Sequence, residues 1–149
     1  MTFSSEFVYE KLQALEKYTG ELNELLENNA DDIFFKNSEK LHVIERLVQL
    51  LVDGMIDINQ HFIRELDLEL PEDLQSSFIA LGDNEIIPKS FAEKIAPVVG
   101  VRNILVHQYN KLDKELFIRN LRKHFSDFKD YQHFIVDYLE SHDFWFDVC

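Results

Sequence analysis

Apolar residues recur at intervals of three and four along nearly the whole chain, which is the period of an amphipathic α-helix. The first such repeat comprises Val8, Leu12, Leu15, Thr19, Leu22 and Leu26. A longer repeat follows Ser38, a residue type that can cap a helix, and comprises Leu41, Ile44, Val48, Leu51, Met55, Ile58 and Phe62. A single apolar seam of this length is typical of a long helix in a helical bundle.

Proline, glycine and aspartate mark where other helices begin and end. Pro71 suits the first position of a helix, and the pattern predicts a short helix over Glu72–Leu81 that Gly82 can close. Asp113 can cap a last long helix, whose apolar face is Ile118, Leu121, Phe125, Phe128, Ile135 and Leu139. The predicted fold class is therefore all-α, an up-and-down helical bundle with one or two short inserted helices, in a single domain over residues 1–149.

Composition predicts a globular protein that does not cross a membrane. Hydrophobic residues make up 46% of the 149 residues and charged residues 29%, and no apolar run approaches the roughly 20 residues that a membrane span needs. The first residues, MTFSSEFVYEKL, lack the basic start and apolar middle of a secretory signal, and Cys149 is the only cysteine. We therefore expect a cytoplasmic location and no disulfide framework.

Charge is distributed unevenly along the chain. The formal net charge of -13 argues against a general nucleic-acid binder, because neutralising phosphates is the main source of such affinity. Residues 1–88 carry 6 Lys/Arg against 19 Asp/Glu, whereas residues 89–129 carry nine against four, a net charge of +5. Contact with a phosphate backbone is therefore expected, if anywhere, in the second segment.

The stretch GVRNILVHQY, from Gly100 to Tyr109, lies inside this basic segment. It belongs to a helix that Pro88 opens and that Pro97 should kink or restart, because proline removes a backbone donor. Helical spacing predicts a buried stripe made of Val98, Val101 and Leu105. Four polar side chains interleave with this stripe, which makes the helix poor core material and a candidate active site.

The four polar residues lie on two flanks of the predicted helix. Asn103 and His107 are four apart and share one flank, where the amide can orient the imidazole, while Arg102 and Tyr109 are seven apart and share another. Arg102 and His107 are about 140° apart on an ideal helix. They can act together at the helix edge, through the bend, or when a partner surface closes over both.

These residue types suit metal-free cleavage of RNA. Histidine can take a proton from a ribose 2′-hydroxyl, and arginine offers a permanent charge and a planar fork for the phosphate. Spacing alone also allows a structural role, in which Arg102 and His107 cap the helix or form ion pairs. Position alone likewise allows Tyr109 to be an ordinary tyrosine with a packed ring and a solvated hydroxyl.

Other chemistries lack support in the sequence. There is no glycine-rich phosphate loop and no Cys-Cys or HExxH spacing, so neither a cofactor nor a metal is predicted. The other histidines, expected to be structural or solvated, are His42, His61, His124, His133 and His142. The aromatic tail DFWFDVC is read as core packing, with a partner or dimer contact as the alternative.

The pattern Arg, four residues, His, one residue, Tyr resembles that of HEPN-domain ribonucleases. The stretches GVRNILVHQYNKLD and IERLVQLLVDGMIDINQHFI, together with the order of helices, look like the HepT toxins of MNT/HEPN toxin–antitoxin systems. The resemblance covers the chain from about Lys40 to Phe128. Its motif residues are Gly100, Arg102, Asn103, Leu105, His107 and Tyr109.

This resemblance implies a HEPN-like helical homodimer whose two motifs face each other across a cleft. It implies metal-independent endoribonuclease activity on transfer or messenger RNA, and a neighbouring nucleotidyltransferase as antitoxin. Arg102 and His107 would be the catalytic pair, Asn103 an accessory residue, and Tyr109 an accessory residue and the site that the antitoxin modifies with AMP. The alternatives are a non-catalytic nucleotide-binding or scaffolding module and a purely structural helical dimer.

Overall fold

A computed structural model describes residues 4–142, and in that range the chain forms helices and no strand. The helices are α1 (Ser5–Asn28), α2 (Asp31–Lys36), α3 (Ser38–Glu65), α4 (Leu74–Asp83), α5 (Lys89–Ile95), α6 (Val98–His107), a 3₁₀ turn (Tyr109–Lys111), α7 (Lys114–His124) and α8 (Ser126–Ser141). The predicted all-α fold class is confirmed.

The long helices α1 and α3 pack side by side and supply most of the core. Every residue of the two predicted apolar seams is buried. Gly54 lets the helices approach closely, because a β-carbon there would lie 2.6 Å from Leu15 Cδ2. Helix α8 closes the bundle through the buried Tyr131, whose hydroxyl donates to Asn59 Oδ1 at 2.6 Å on α3. Helix α3 therefore lies at the centre of the fold, and α1, α2, α4 and α6 all pack against it.

The predicted helix starts are confirmed in part. Asp113 caps α7 by accepting the Leu116 amide at 3.1 Å. Helix α3 is capped by Asn37, not by Ser38, because the Asn37 side chain accepts the amide of Lys40. Helix α4 begins at Leu74, not Glu72, since the short Asp73 side chain accepts the Ser76 amide at 2.7 Å. It also continues through Gly82 to Asp83.

The predicted last long helix is two helices, which meet at Phe125. Phe125 is only half-buried, unlike the rest of the predicted face. Two residues beyond it, Asp127 Oδ1 lies 3.1 Å from Lys94 Nζ, and this ion pair joins the start of α8 to α5. The apolar spacing continues through the junction, so the local pattern does not reveal the break.

No helix among residues 4–142 is long and apolar enough to cross a membrane. The predicted packing of the aromatic tail concerns residues 143–149, which lie outside the described residues.

Candidate functional site

Helix α6 carries the motif and lies across α3. A separate helix begins directly after Pro97 and follows α5, which confirms the second of the two predicted effects of this proline, a restart and not a kink. The residue of α6 that is fully buried is Val99, at 3% exposure, whereas the predicted stripe of Val98, Val101 and Leu105 is only half-buried. The prediction of that stripe is confirmed in part: its residues pack against the core, but Val98 and Val101 also border an open groove and so stay half-buried.

Arg102 is held in a defined orientation by two oxygen atoms. Its Nε donates to Asp53 Oδ1 at 2.7 Å, and its Nη1 donates to Asn103 Oδ1 at 3.1 Å. Asp53 lies on α3, so this ion pair ties the motif helix to the centre of the bundle. Arginine carries five N–H donors, and within residues 4–142 the remaining three have no partner. The guanidinium is therefore oriented and still able to bind an anion.

Asn103 contacts Arg102 and not the imidazole that it was expected to orient. The His107 side chain is exposed at the last position of α6, and residues 4–142 give it no hydrogen bond or ion pair. No such contact joins Arg102 to His107 either. The structure thus brings Arg102 and Asn103 together and leaves His107 on a separate flank, as the angle of about 140° on an ideal helix implies.

Tyr109 follows α6 in the 3₁₀ turn, and its hydroxyl points back to α3. The hydroxyl oxygen lies 2.9 Å from each carboxylate oxygen of Glu45, which is only 7% exposed. Burial, the hydrogen bond to Glu45 and the Glu45 charge together raise the pKa of Tyr109 to about 12, so the phenol is protonated and donates. Tyr109 itself remains 39% exposed.

Burial also raises the pKa of the Glu45 carboxyl. Three groups oppose that increase by favouring the charged carboxylate. They are the hydrogen bond from Tyr109, the positive charge that His42 carries when protonated, and the charge of Lys114. The carboxylate is therefore a stronger base than an exposed glutamate.

Sequence reasoning did not single out Glu45 and Asp53. They are eight residues apart on α3, about 80° apart around the helix, and both border its apolar seam. Each binds one motif residue that lies far away in sequence. An acidic residue next to an apolar seam was the available signal, but such residues are common on amphipathic helices and do not reveal their partners.

A groove of about 540 Å³ lies between the outer face of α6 and α7. Its apolar lining includes Val98, Val101, Ile104, Leu116, Phe117 and Leu121. Leu116 is 46% exposed. Lys94, Lys111, His124 and Asp127 are among the polar residues that also line the groove. Among residues 4–142 nothing covers this groove, so the motif helix presents an apolar face beside its polar flanks.

Among residues 4–142, no group of three or more His, Cys, Asp or Glu side chains is arranged to hold a metal ion. Of the histidines expected to be structural, His61 is buried and stacks on Phe7 at 4.6 Å, and His142 stacks on Tyr138 at 3.9 Å. His124 lies 3.6 Å from Asp127. His42 and His133 are exposed.

Comparison with known proteins places this site in context. The ribonuclease HepT-like family model matches residues 15–135. A tRNA nuclease HepT of Aphanizomenon flos-aquae is 34% identical over 103 residues, which cover 69% of each chain. An mRNA nuclease HepT of Shewanella oneidensis is 30% identical over 84 residues, 56% of this chain and 63% of that relative, which is under two thirds of its length.

The fold also matches a solved complex, that of the tri-AMPylated Shewanella oneidensis HEPN toxin with its MNT antitoxin. The TM-score is 0.80 at 21% identity, over 89% of this chain and 98% of the toxin chain. The motif that resembled HEPN ribonucleases therefore lies within a matched family region and on a matching fold. The chain belongs to the ribonuclease HepT-like family.

Proposed function

We propose that this protein is the toxin of a toxin–antitoxin pair and cleaves cellular RNA, either transfer RNA or messenger RNA, without a metal ion. The observation that carries the proposal is Arg102, which Asp53 and Asn103 orient while three of its N–H groups stay available for a phosphate. Its location in the basic segment of an otherwise acidic chain supports the same reading, because RNA phosphates need positive charge.

In the proposed reaction His107 acts as the general base. It takes the proton from a ribose 2′-hydroxyl, the oxygen attacks the adjacent phosphorus, and the bond to the 5′-oxygen of the next nucleotide breaks. Arg102 stabilises the negative charge that gathers on the phosphoryl oxygens. The products are a cyclic 2′,3′-phosphate and a free 5′-hydroxyl.

The proposed active form is a homodimer with the two motifs facing one cleft. Arg102 and His107 lie on different flanks of α6, so a facing surface is needed for both to reach one phosphate. The apolar groove beside α6 supports such an assembly, because uncovered apolar surface favours association. We expect a dimer at micromolar concentration in analytical ultracentrifugation, and a monomer would contradict the shared cleft.

The proposed partner is a nucleotidyltransferase antitoxin of the MNT type, which would attach AMP to the hydroxyl of Tyr109. A phosphodiester at this position would add negative charge and bulk near Arg102 and thereby exclude RNA. Tyr109→Phe should fold normally, remain toxic in the presence of the antitoxin and carry no adduct by mass spectrometry. Full neutralisation of this variant would leave complex formation as the antidote.

Cleavage of a transfer RNA and a messenger RNA in EDTA tests the enzymatic proposal. Arg102→Ala and His107→Ala should each lower the rate by about 10²-fold or more. The exposed residues Arg119 and His133 offer matched controls of the same residue types, and their alanine variants should retain activity. Loss of cleavage in EDTA would contradict the metal-free reaction, and an inactive wild type would favour a nucleotide-binding or scaffolding module.

A further inference from the structure

The contact between Glu45 and Tyr109 joins a buried carboxylate to a partly exposed phenol. Both carboxylate oxygens lie 2.9 Å from the hydroxyl oxygen. Within residues 4–142 this hydroxyl is the hydrogen-bond donor to Glu45, and no ion pair holds the carboxylate. The two residues are 64 positions apart in sequence, so the contact exists only because α6 and the following turn pack on α3.

A carboxylate is a costly way to tether a tyrosine. Burying an ionised carboxyl is unfavourable unless charges and hydrogen bonds offset the lost hydration. The hydrogen bond from Tyr109 and the charges of His42 and Lys114 offset part of that cost, and a glutamine oxygen could accept the same hydrogen bond without any charge. What a carboxylate can do, and an amide cannot, is take the proton that the phenol donates.

We propose that Glu45 is the proton acceptor that activates the Tyr109 hydroxyl when AMP is transferred to it, an inference that rests on the modification proposed above. The co-reactant is a nucleoside triphosphate held by the partner nucleotidyltransferase. The tyrosine oxygen forms a bond to the α-phosphorus, the bond from that phosphorus to the bridging oxygen breaks, and pyrophosphate leaves. The phenolic proton moves to Glu45 and then to solvent.

The chemistry explains why an acceptor is needed. With a pKa of about 12, roughly one Tyr109 hydroxyl in 10⁵ is ionised at pH 7, so unassisted attack by the phenolate would be slow. A carboxylate already within hydrogen-bond distance can remove the proton as the oxygen–phosphorus bond forms. The titratable groups facing Glu45 are Tyr109 in the 3₁₀ turn, His42 on α3 and Lys114 on α7.

Glu45→Gln tests the proposal, because glutamine can accept the hydrogen bond but not the proton. The purified variant is mixed with the cognate nucleotidyltransferase and ATP, and AMP addition is followed by intact mass. We expect the rate to fall by about 10²- to 10⁴-fold, the range typical of general acid–base catalysis. Glu39→Gln, an exposed position on the same helix, should behave as wild type.

The pH dependence of the rate of AMP addition distinguishes a loss of proton transfer in Glu45→Gln from a loss of folded protein. The variant must react through the phenolate, so the ratio of the wild-type rate to the variant rate should fall about tenfold per unit between pH 7 and 9. Taking this ratio cancels the antitoxin's own pH dependence. A purely structural role of Glu45 would lower the rate by the same factor at every pH.

The outcomes distinguish this inference from the function on which it rests. A wild type that receives no AMP would overturn the modification and with it the role of Glu45. Modification of the wild type together with an equal rate for Glu45→Gln, or with a pH-independent ratio, would overturn the role of Glu45 alone.

Discussion

Two arginines of the basic segment form ion pairs with aspartates, yet their surroundings differ in what they leave available. Arg122 on α7 uses all three guanidinium nitrogens. Its Nε donates to Asp31, its Nη1 to the Leu26 carbonyl at 2.8 Å and its Nη2 to the Asn29 carbonyl at 2.5 Å. Arg102 on α6 uses Nε and Nη1, and Nη2 has no hydrogen bond within residues 4–142.

The two arginines also differ in what their hydrogen bonds stabilise. Arg122 satisfies carbonyl groups at the end of α1, which a helix leaves without internal partners, and joins them to the start of α2. Its side chain is nevertheless 33% exposed, more than the 21% of Arg102. Exposure alone therefore does not separate these two arginines, whereas their unused donors do: within residues 4–142, Arg102 leaves three N–H groups without a partner and Arg122 leaves two.

The largest expected effect is a lower rate of RNA cleavage in the Arg102→Lys variant. A lysine can pair with Asp53 but lacks the planar fork that would hold Asp53 and a phosphate at once. We expect the cleavage rate to fall by about 10²-fold while the midpoint of thermal unfolding stays close to that of the wild type. Full activity of this variant would reduce Arg102 to a simple surface charge.

Arg122→Ala should show the opposite profile. It removes three hydrogen bonds from a charged group, and we expect the free energy of unfolding in urea to fall by about 2–3 kcal/mol. Cleavage per folded molecule should remain that of the wild type. Arg119→Ala, on the same helix, provides the control and should change stability by less than about 0.5 kcal/mol. Loss of cleavage in a folded Arg122→Ala protein would contradict the division of roles.

Asp53 provides a smaller test of whether Arg102 must be oriented. Asp53→Ala frees the guanidinium and should lower kcat about tenfold, since small misplacements of a catalytic group are costly. Asp53→Asn keeps an acceptor oxygen for Nε and should lower kcat by no more than about threefold. Steady-state kinetics on one RNA substrate separates the two variants. Equal losses would show that the Asp53 charge, and not orientation, is what the site requires.

The smallest expected effect is on stability at Glu45. Because burial raises the pKa of this carboxyl above 4.5, the native state binds the proton more tightly than the unfolded chain does. The free energy of unfolding therefore loses a contribution as pH rises from 4.5 through the native pKa. Glu45→Gln should lack this slope and gain stability at pH 7 by an amount on the order of 1 kcal/mol.

Urea unfolding of the wild type and of Glu45→Gln at pH 4 and pH 7 measures that difference. A variant that is less stable than the wild type at pH 7 would show that the carboxylate stabilises the fold. In that case Glu45, like Asp31, would contribute to the stability of the fold.

Much of the fold could be predicted from local pattern. Three- and four-residue spacing identified the seams of α1 and α3, Asp113 identified the start of α7, and Pro97 identified the boundary before α6. The motif could be recognised as well, because its residues occur within ten consecutive positions of the chain. These features depend on helix geometry and on a few neighbouring side chains, which the order of residues alone determines.

The tertiary structure decided the rest. The apolar pattern does not reveal the break at Phe125, and the orientation of the motif depends on Asp53 and Glu45, which lie 49 and 64 residues from their partners. An acidic residue beside an apolar seam has the same appearance in sequence whether it faces water or an arginine. Only the packing of α6 on α3 selects its partner, because a hydrogen bond requires two groups within about 3 Å and sequence spacing carries that information only within a helix.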